Sequence, residues 1–64
     1  MNLLPILSEY QDGTRNAKVY KTPNGEYGVL MFESETDYNA FEVFPTEDLA
    51  EHRAEWWVLD HDTL

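Results

Sequence analysis

The chain contains no cysteine, and this constrains its fold strongly because the chain has only 64 residues. A domain of this size buries roughly 60% of the surface that its unfolded chain exposes, and it usually needs a disulfide, a metal or a partner subunit to be stable. Disulfides and thiolate zinc sites are excluded, and the absence of thiols fits a reducing compartment. A single domain must therefore rely on a small, well-packed core or on oligomerisation. Its composition, with 42% apolar residues, is too hydrophobic for a disordered chain.

Negative charge is concentrated in the second part of the chain. Residues 22–64 hold eleven acidic residues and one basic residue, Arg53, whereas residues 1–21 carry a net charge of +1. The overall net charge of −9 disfavours direct binding to nucleic acid, whose phosphates require Lys and Arg, and it disfavours anionic membranes. It favours a partner with a basic surface.

No targeting segment is expected. Residues 1–7 are mostly apolar, but Pro5 interrupts them and no Lys or Arg precedes them. The run is also too short for the hydrophobic region of a signal peptide or for a membrane span. We therefore expect a cytoplasmic protein.

Three strands are predicted, over residues 15–22, 27–34 and 39–44. The first two are joined by Pro23-Asn24-Gly25, a sequence typical of turns. The short connections predict an antiparallel meander. Residues 1–14 are expected to be an N-terminal arm, irregular or with one helical turn, whose leucines pack on the body.

The second predicted strand is apolar on both faces. Leu30 and Phe32 alternate with Val29 and Met31. This pattern predicts a central strand that is covered on both sides.

A helix is predicted from Thr46 to about Trp57. Pro45 ends the preceding strand, Thr46 is a suitable N-cap, and Glu47 and Asp48 favour the first turn. The residues expected on the sheet side of the helix are Leu49, Ala50, Ala54 and Trp57, and those expected on the solvent side are Asp48, Glu51 and Glu55.

The predicted fold class is α+β, a three-stranded antiparallel meander with one C-terminal helix packed on one face. The folded β-β-β-α domain spans residues 15–59, and residues 60–64 form a tail. The predicted core consists of Leu30, Phe32, Phe41 or Phe44, Leu49, Ala50, Ala54 and Trp57.

Catalytic and metal chemistry have little support in the sequence. His52 and His61 are the only histidines, and zinc needs three or four converging ligands. Glu42 occupies a strand position, but a general acid needs burial to raise its pKa, and we expect Glu42 on a solvent face. The sequence contains no defensible Ser–His–Asp set and no glycine-rich phosphate loop. We therefore predict no enzyme activity, no cofactor and no metal.

Nine aromatic side chains are many for this length. Tyr20 and Tyr27 flank the predicted turn and are expected to lie near each other across the hairpin, and Trp56 lies at the border of the apolar side of the helix. Exposed Trp and Tyr are common interface anchors. The alternative is that the leucines of the arm cap the second face of the sheet. The candidate partner-binding residues are Tyr20, Tyr27, Trp56, Glu47, Glu51 and Glu55.

Three functions are consistent with these features. The leading hypothesis is a non-enzymatic module that binds a protein with a basic surface. The second is an inhibitor that mimics DNA, with its carboxylates replacing a phosphate array. The third is a structural or assembly protein that acts as a homo-oligomer.

The stretch from Lys18 to Leu59 resembles small acidic accessory proteins of tailed cyanobacterial phages. The resemblance rests on a tyrosine-rich hairpin followed by a helix reading Pro-Thr-Glu-Asp-Leu-Ala-Glu-His-Arg-Ala-Glu-Trp-Trp-Val-Leu, from Pro45 to Leu59. Such proteins often carry a Thr-Glu-x-x-Ala-Glu-x-x-Ala-Glu-x-Trp-like helix, and here Leu49 and Ala50 shift the pattern by one residue. The resemblance implies a phage origin and a small accessory role. With it, the leading hypothesis becomes a phage factor that binds and modulates a host protein in the host cytoplasm. It carries over no catalytic or binding residue.

Overall fold

The computed structural model describes residues 5–59. They form one antiparallel sheet, with strands in the order β1-β2-β3-β4, followed by one helix. The elements are β1 (Ile6–Asp12), β2 (Arg15–Lys21), β3 (Tyr27–Glu33), β4 (Tyr38–Phe44) and α1 (Glu47–Leu59). The predicted α+β class, antiparallel meander and C-terminal helix are confirmed. The predicted number of three strands is wrong, because the sheet has four.

The extra strand, β1, lies within the predicted N-terminal arm. Gly13, with a φ of 62°, and Thr14 form the turn of a hairpin in which β1 pairs with β2. β1 is a polar edge strand with a register shift between Ile6 and Ser8, so it lacks the apolar alternation that marks the other strands. Leu7 is 41% exposed and does not pack on the body as expected. Leu3, Leu4 and the predicted tail lie outside the described residues.

The turn between β2 and β3 forms where the sequence predicted it. The N–H of Gly25 donates to the carbonyl of Thr22 at 3.1 Å, and the N–H of Thr22 donates to the carbonyl of Glu26 at 2.9 Å. Gly25 has a φ of 86°, a conformation that glycine adopts without steric cost. This turn sets the register in which Val19 faces Val29.

The helix begins as predicted and ends two residues later than expected. Thr46 caps it, since its Oγ1 accepts a hydrogen bond from the N–H of Leu49 at 3.3 Å. The helix continues to Leu59, and this extension places Val58 in the core.

The core lies between α1 and one face of the sheet. It consists of small and medium side chains: Ala17, Val19, Val29, Met31, Ala50, Ala54 and Val58. Phe44 and Trp57 are partly buried against it, as two of the predicted core residues. The rest of the predicted core, apart from the two helix alanines, is wrong. Leu49 is 50% exposed, and Leu30, Phe32 and Phe41 lie on the opposite face of the sheet.

Close approach explains why the helix covers this face. Alanines at 50 and 54 meet Ala17 and Val19 of β2, so the helix backbone can come near the sheet. On the other face, β2 carries the larger side chains of Asn16, Lys18 and Tyr20, which would hold a helix farther from the sheet.

Candidate functional site

Three apolar side chains form a stripe along the outward side of α1. Leu49, Trp56 and Leu59 are 50%, 53% and 58% exposed. Their spacing of seven and then three residues puts them on one side of a helix, away from the buried Ala50 and Ala54. We call these three residues the outer stripe.

The outer stripe is bordered by negative charge. Asp48 and Glu55 lie beside it and are exposed, and Glu47 is exposed in the first turn of the helix. The positively charged side chain of Arg53 interacts with other residues of the chain. Its Nε donates to Glu42 at 3.1 Å, and its guanidinium carbon lies 5.0 Å from the centroid of the Trp56 ring.

The prediction that Glu51 faces solvent is wrong. Glu51 lies against the edge of the sheet, where its carboxylate accepts hydrogen bonds from the hydroxyls of Ser8 and Tyr10. The hydrogen bond to Glu51, followed by burial, raises the pKa of Tyr10 to about 12. Glu51 therefore links α1 to β1 and is not a free carboxylate for a partner.

The two candidate tyrosines are not neighbours. Tyr20 pairs with Gly28, whereas Tyr27 pairs with Lys21, so the two rings lie on opposite faces of the sheet. Tyr27 packs against the core, with the Lys21 ammonium 5.6 Å from its ring centroid. The expectation that they meet across the hairpin is wrong.

A cluster of interacting side chains lies at the C-terminal end of α1 and consists of Thr14, Arg15, Glu33 and Trp57. Arg15 lies 4.1 Å from the centroid of the Trp57 ring and donates to the carbonyl of Trp57 at 3.0 Å, which satisfies a carbonyl near the helix C-terminus. Glu33 accepts hydrogen bonds from Thr14 and Arg15, and these bonds hold its pKa below its usual value. The charges of Arg15 and Glu33 compensate each other, so this cluster is structural in character.

The face of the sheet opposite the helix is a second surface, with apolar side chains beside a polar cluster of Glu9, Asn16 and Lys18. No other element among residues 5–59 covers it. We call it the open face, and its apolar residues are Ile6, Tyr20, Leu30, Phe32, Phe41 and Val43.

Within residues 5–59, no group of three or more Asp, Glu or His side chains is arranged to hold a metal ion. His52 is exposed on α1, and His61 lies outside the described residues. Glu42, the strand carboxylate weighed for acid–base chemistry, lies on the helix side of β4 and pairs with Arg53. Over the same part of the chain, α1 is the single helix, and it lacks the length and apolarity needed to cross a membrane.

No family model, curated protein or solved structure matches the chain. The resemblance to phage accessory proteins therefore stays a prediction.

Sequence reasoning missed the open face as a surface because it assigned Leu30 and Phe32 to the core. A signal was present in β2. Asn16 and Lys18 alternate with Ala17 and Val19, so β2 has one polar and one apolar side. Since paired residues share a face, the polar side of β2 identifies the face of Leu30 and Phe32 as the one without the helix.

Proposed function

We propose that this chain is a small non-enzymatic protein-binding module that engages a partner protein with a basic surface through the outer stripe. The observation that carries the proposal is the exposure of Trp56, 53%, between two exposed leucines on a helix bordered by carboxylates. A monomeric protein gains no stability from presenting these side chains to water. Burial of these side chains in the groove of a partner would stabilise the complex.

The outer stripe fits a helix-in-groove mode of recognition. Residues spaced by seven and three positions enter one groove, and a tryptophan is the residue type that most often contributes strongly to binding. Asp48 and Glu55 beside the stripe would face the rim of the groove. Charges at a rim raise the association rate more than the affinity, and their effect declines with salt.

The test is affinity capture from a cyanobacterial lysate, followed by kinetics with the captured protein. We expect wild-type chain to retain a basic protein and Trp56→Ala to weaken binding by at least about tenfold. Tyr38→Ala is the matched control, because Tyr38 is an aromatic residue of similar exposure, 51%, that lies outside both the outer stripe and the opposite face of the sheet.

Two results would contradict the proposal. One is binding that survives Trp56→Ala. The other is an association rate that does not fall between low and high salt, because steering by Asp48 and Glu55 requires unscreened charge. The predicted phage origin and host target are addressed by the identity of the captured protein.

DNA mimicry has less support than protein binding. A phosphate array requires many free carboxylates on one side, whereas Glu33, Glu42 and Glu51 are engaged by Arg15, Arg53 and the hydroxyls of β1. Competition by nucleic acid for the captured partner would favour the mimic.

A further inference from the structure

We infer that the open face is covered by a second copy of this chain, giving a homodimer in which two sheets pack face to face and the two helices lie outside. The inference does not rest on the proposed function, because it concerns the opposite side of the sheet from the outer stripe. Four observations support it.

The first observation is the exposure of the open face. Ile6 of β1 and Phe41 and Val43 of β4 are 49%, 50% and 46% exposed. They lie on one side of the sheet with the partly buried Leu30 and Phe32 of β3. Large contiguous apolar patches are rare on monomeric proteins and mark interaction surfaces.

The second observation is how Phe41 lies on the sheet. A Cβ atom added at Gly28 would clash with Cζ of Phe41, so the ring rests directly on the backbone of the neighbouring strand. The absence of a side chain at Gly28 lets the ring fill that position. The Phe41 ring thereby covers the backbone at Gly28, while half of its own surface stays exposed on the open face, where a second sheet could pack at a spacing of about 10 Å.

The third observation is charge, and it distinguishes a second copy from a basic partner. Glu9 and Lys18 are the charged side chains that the described strands place on this face, and they pair at 3.6 Å. Asn16 joins them, donating to Glu9 at 3.1 Å and accepting from Lys18 at 2.9 Å. The open face is therefore neutral on a chain of net charge −9. A basic partner would find no free carboxylate there, whereas an identical neutral face meets no like charge.

The outward position of the helices also limits repulsion between two copies. Face-to-face packing would separate the helices by two sheets, more than about 20 Å, which exceeds the Debye length of about 8 Å at physiological ionic strength.

The fourth observation is the thin core. Three of its seven residues are alanines, and no disulfide is available to a chain without cysteine. The sheet has four strands about 4.8 Å apart, each seven residues long at about 3.3 Å per residue, so the open face measures roughly 400 Å² in projection. A standard interface buries about 800 Å² of accessible surface on each partner, and the accessible area of a face exceeds its projection because side chains stand out from it. A second copy would thus supply the burial that this small domain lacks.

The test is the molar mass of the full chain in solution, measured by light scattering after gel filtration over a range of concentrations. We expect wild type to have twice the mass of one chain. Phe41→Lys and Val43→Lys should each be monomeric while keeping the circular dichroism of the folded domain. Two variants are used so that unfolding of either one leaves the other to decide.

Leu49→Lys is the matched control, because Leu49 has the same exposure as Phe41, 50%, but lies on the outer stripe. It should remain dimeric. A monomeric wild type, a dimer that survives both open-face substitutions, or a dimer lost in Leu49→Lys would each overturn the inference.

Salt separates this inference from the proposed function. Raising salt should leave the dimer unchanged or strengthen it, because it screens repulsion between two bodies of net charge −9. The same change should slow association with a basic partner. Weakening of the dimer at high salt would contradict a neutral interface.

Discussion

At the scale of single residues, Glu51 connects the helix to the edge strand. Its carboxylate accepts hydrogen bonds from the hydroxyls of Ser8 and Tyr10, more than forty residues earlier in the chain. Hydrogen bonds to a charged group are stronger than those between neutral groups. The neutral phenol is the form that donates, so the fold favours the protonated state of Tyr10.

Replacing Glu51 by Gln should lower the pKa of Tyr10 from about 12 toward its ordinary value of 10.0. The pH titration of tyrosinate absorbance measures this, and Glu26→Gln, in the distant turn between β2 and β3, is the control. Because the folded pKa is raised, the stabilisation is complete below pH 10.0 and is lost as pH rises through about 12. Wild type should therefore lose more stability over that range than Tyr10→Phe. Equal losses would show that this hydrogen bond does not contribute.

At the scale of elements, the contact between α1 and the sheet depends on small side chains. Ala50 and Ala54 are fully buried, whereas Leu49, the larger neighbour, is half exposed. β3 is apolar on both faces, so the helix could pack on either side of this strand. On β2, only the face of Ala17 and Val19 is apolar. The helix therefore lies over Ala17 and Val19.

Ala54→Leu should destabilise the domain by about 1–3 kcal/mol, because the added atoms must separate the helix from the sheet. Leu49→Ala should change stability by less than about 1 kcal/mol, because the side chain is already half in water. Urea unfolding monitored by circular dichroism measures both. A loss of about 2–5 kcal/mol for Leu49→Ala, as for buried leucines, would show that Leu49 faces the core and would contradict the described orientation of the helix.

At the scale of the whole molecule, a small core supports a large negative charge. The chain has 13 acidic and 4 basic residues, for a net charge of −9, and Arg15, Lys18 and Arg53 each form an ion pair with one carboxylate in the described residues. Like charges on a compact body repel one another and reduce its stability.

Sodium chloride should therefore raise the melting temperature at fixed protein concentration. A gain of about 1 kcal/mol would correspond to about 4–8 °C in a domain of this size. The double variant Glu26→Gln with Glu35→Gln, both exposed in turns, should start higher and respond less. If salt lowers the melting temperature of wild type, the ion pairs outweigh the repulsion.

The sequence by itself determined the local structure of β2, β3, β4 and α1. Strands β2, β3 and β4 were predicted within one residue of each end, because their alternation and the intervening turns are local signals. The Pro23-Asn24-Gly25 turn and the Thr46 cap were also predicted correctly, since each depends on the chemistry of adjacent residues. The exposed Trp56 was also among the predicted contact residues.

Only the tertiary structure decided which residues are core and which are surface. β1 has too little apolar alternation to be recognised as a strand, and it joins the sheet because β2 offers it an unpaired edge. The position of the helix, and with it the exposure of Phe41 and the engagement of Glu51, depends on how closely two backbones can approach. That distance is set by alanines far apart in the chain, and no local pattern contains it.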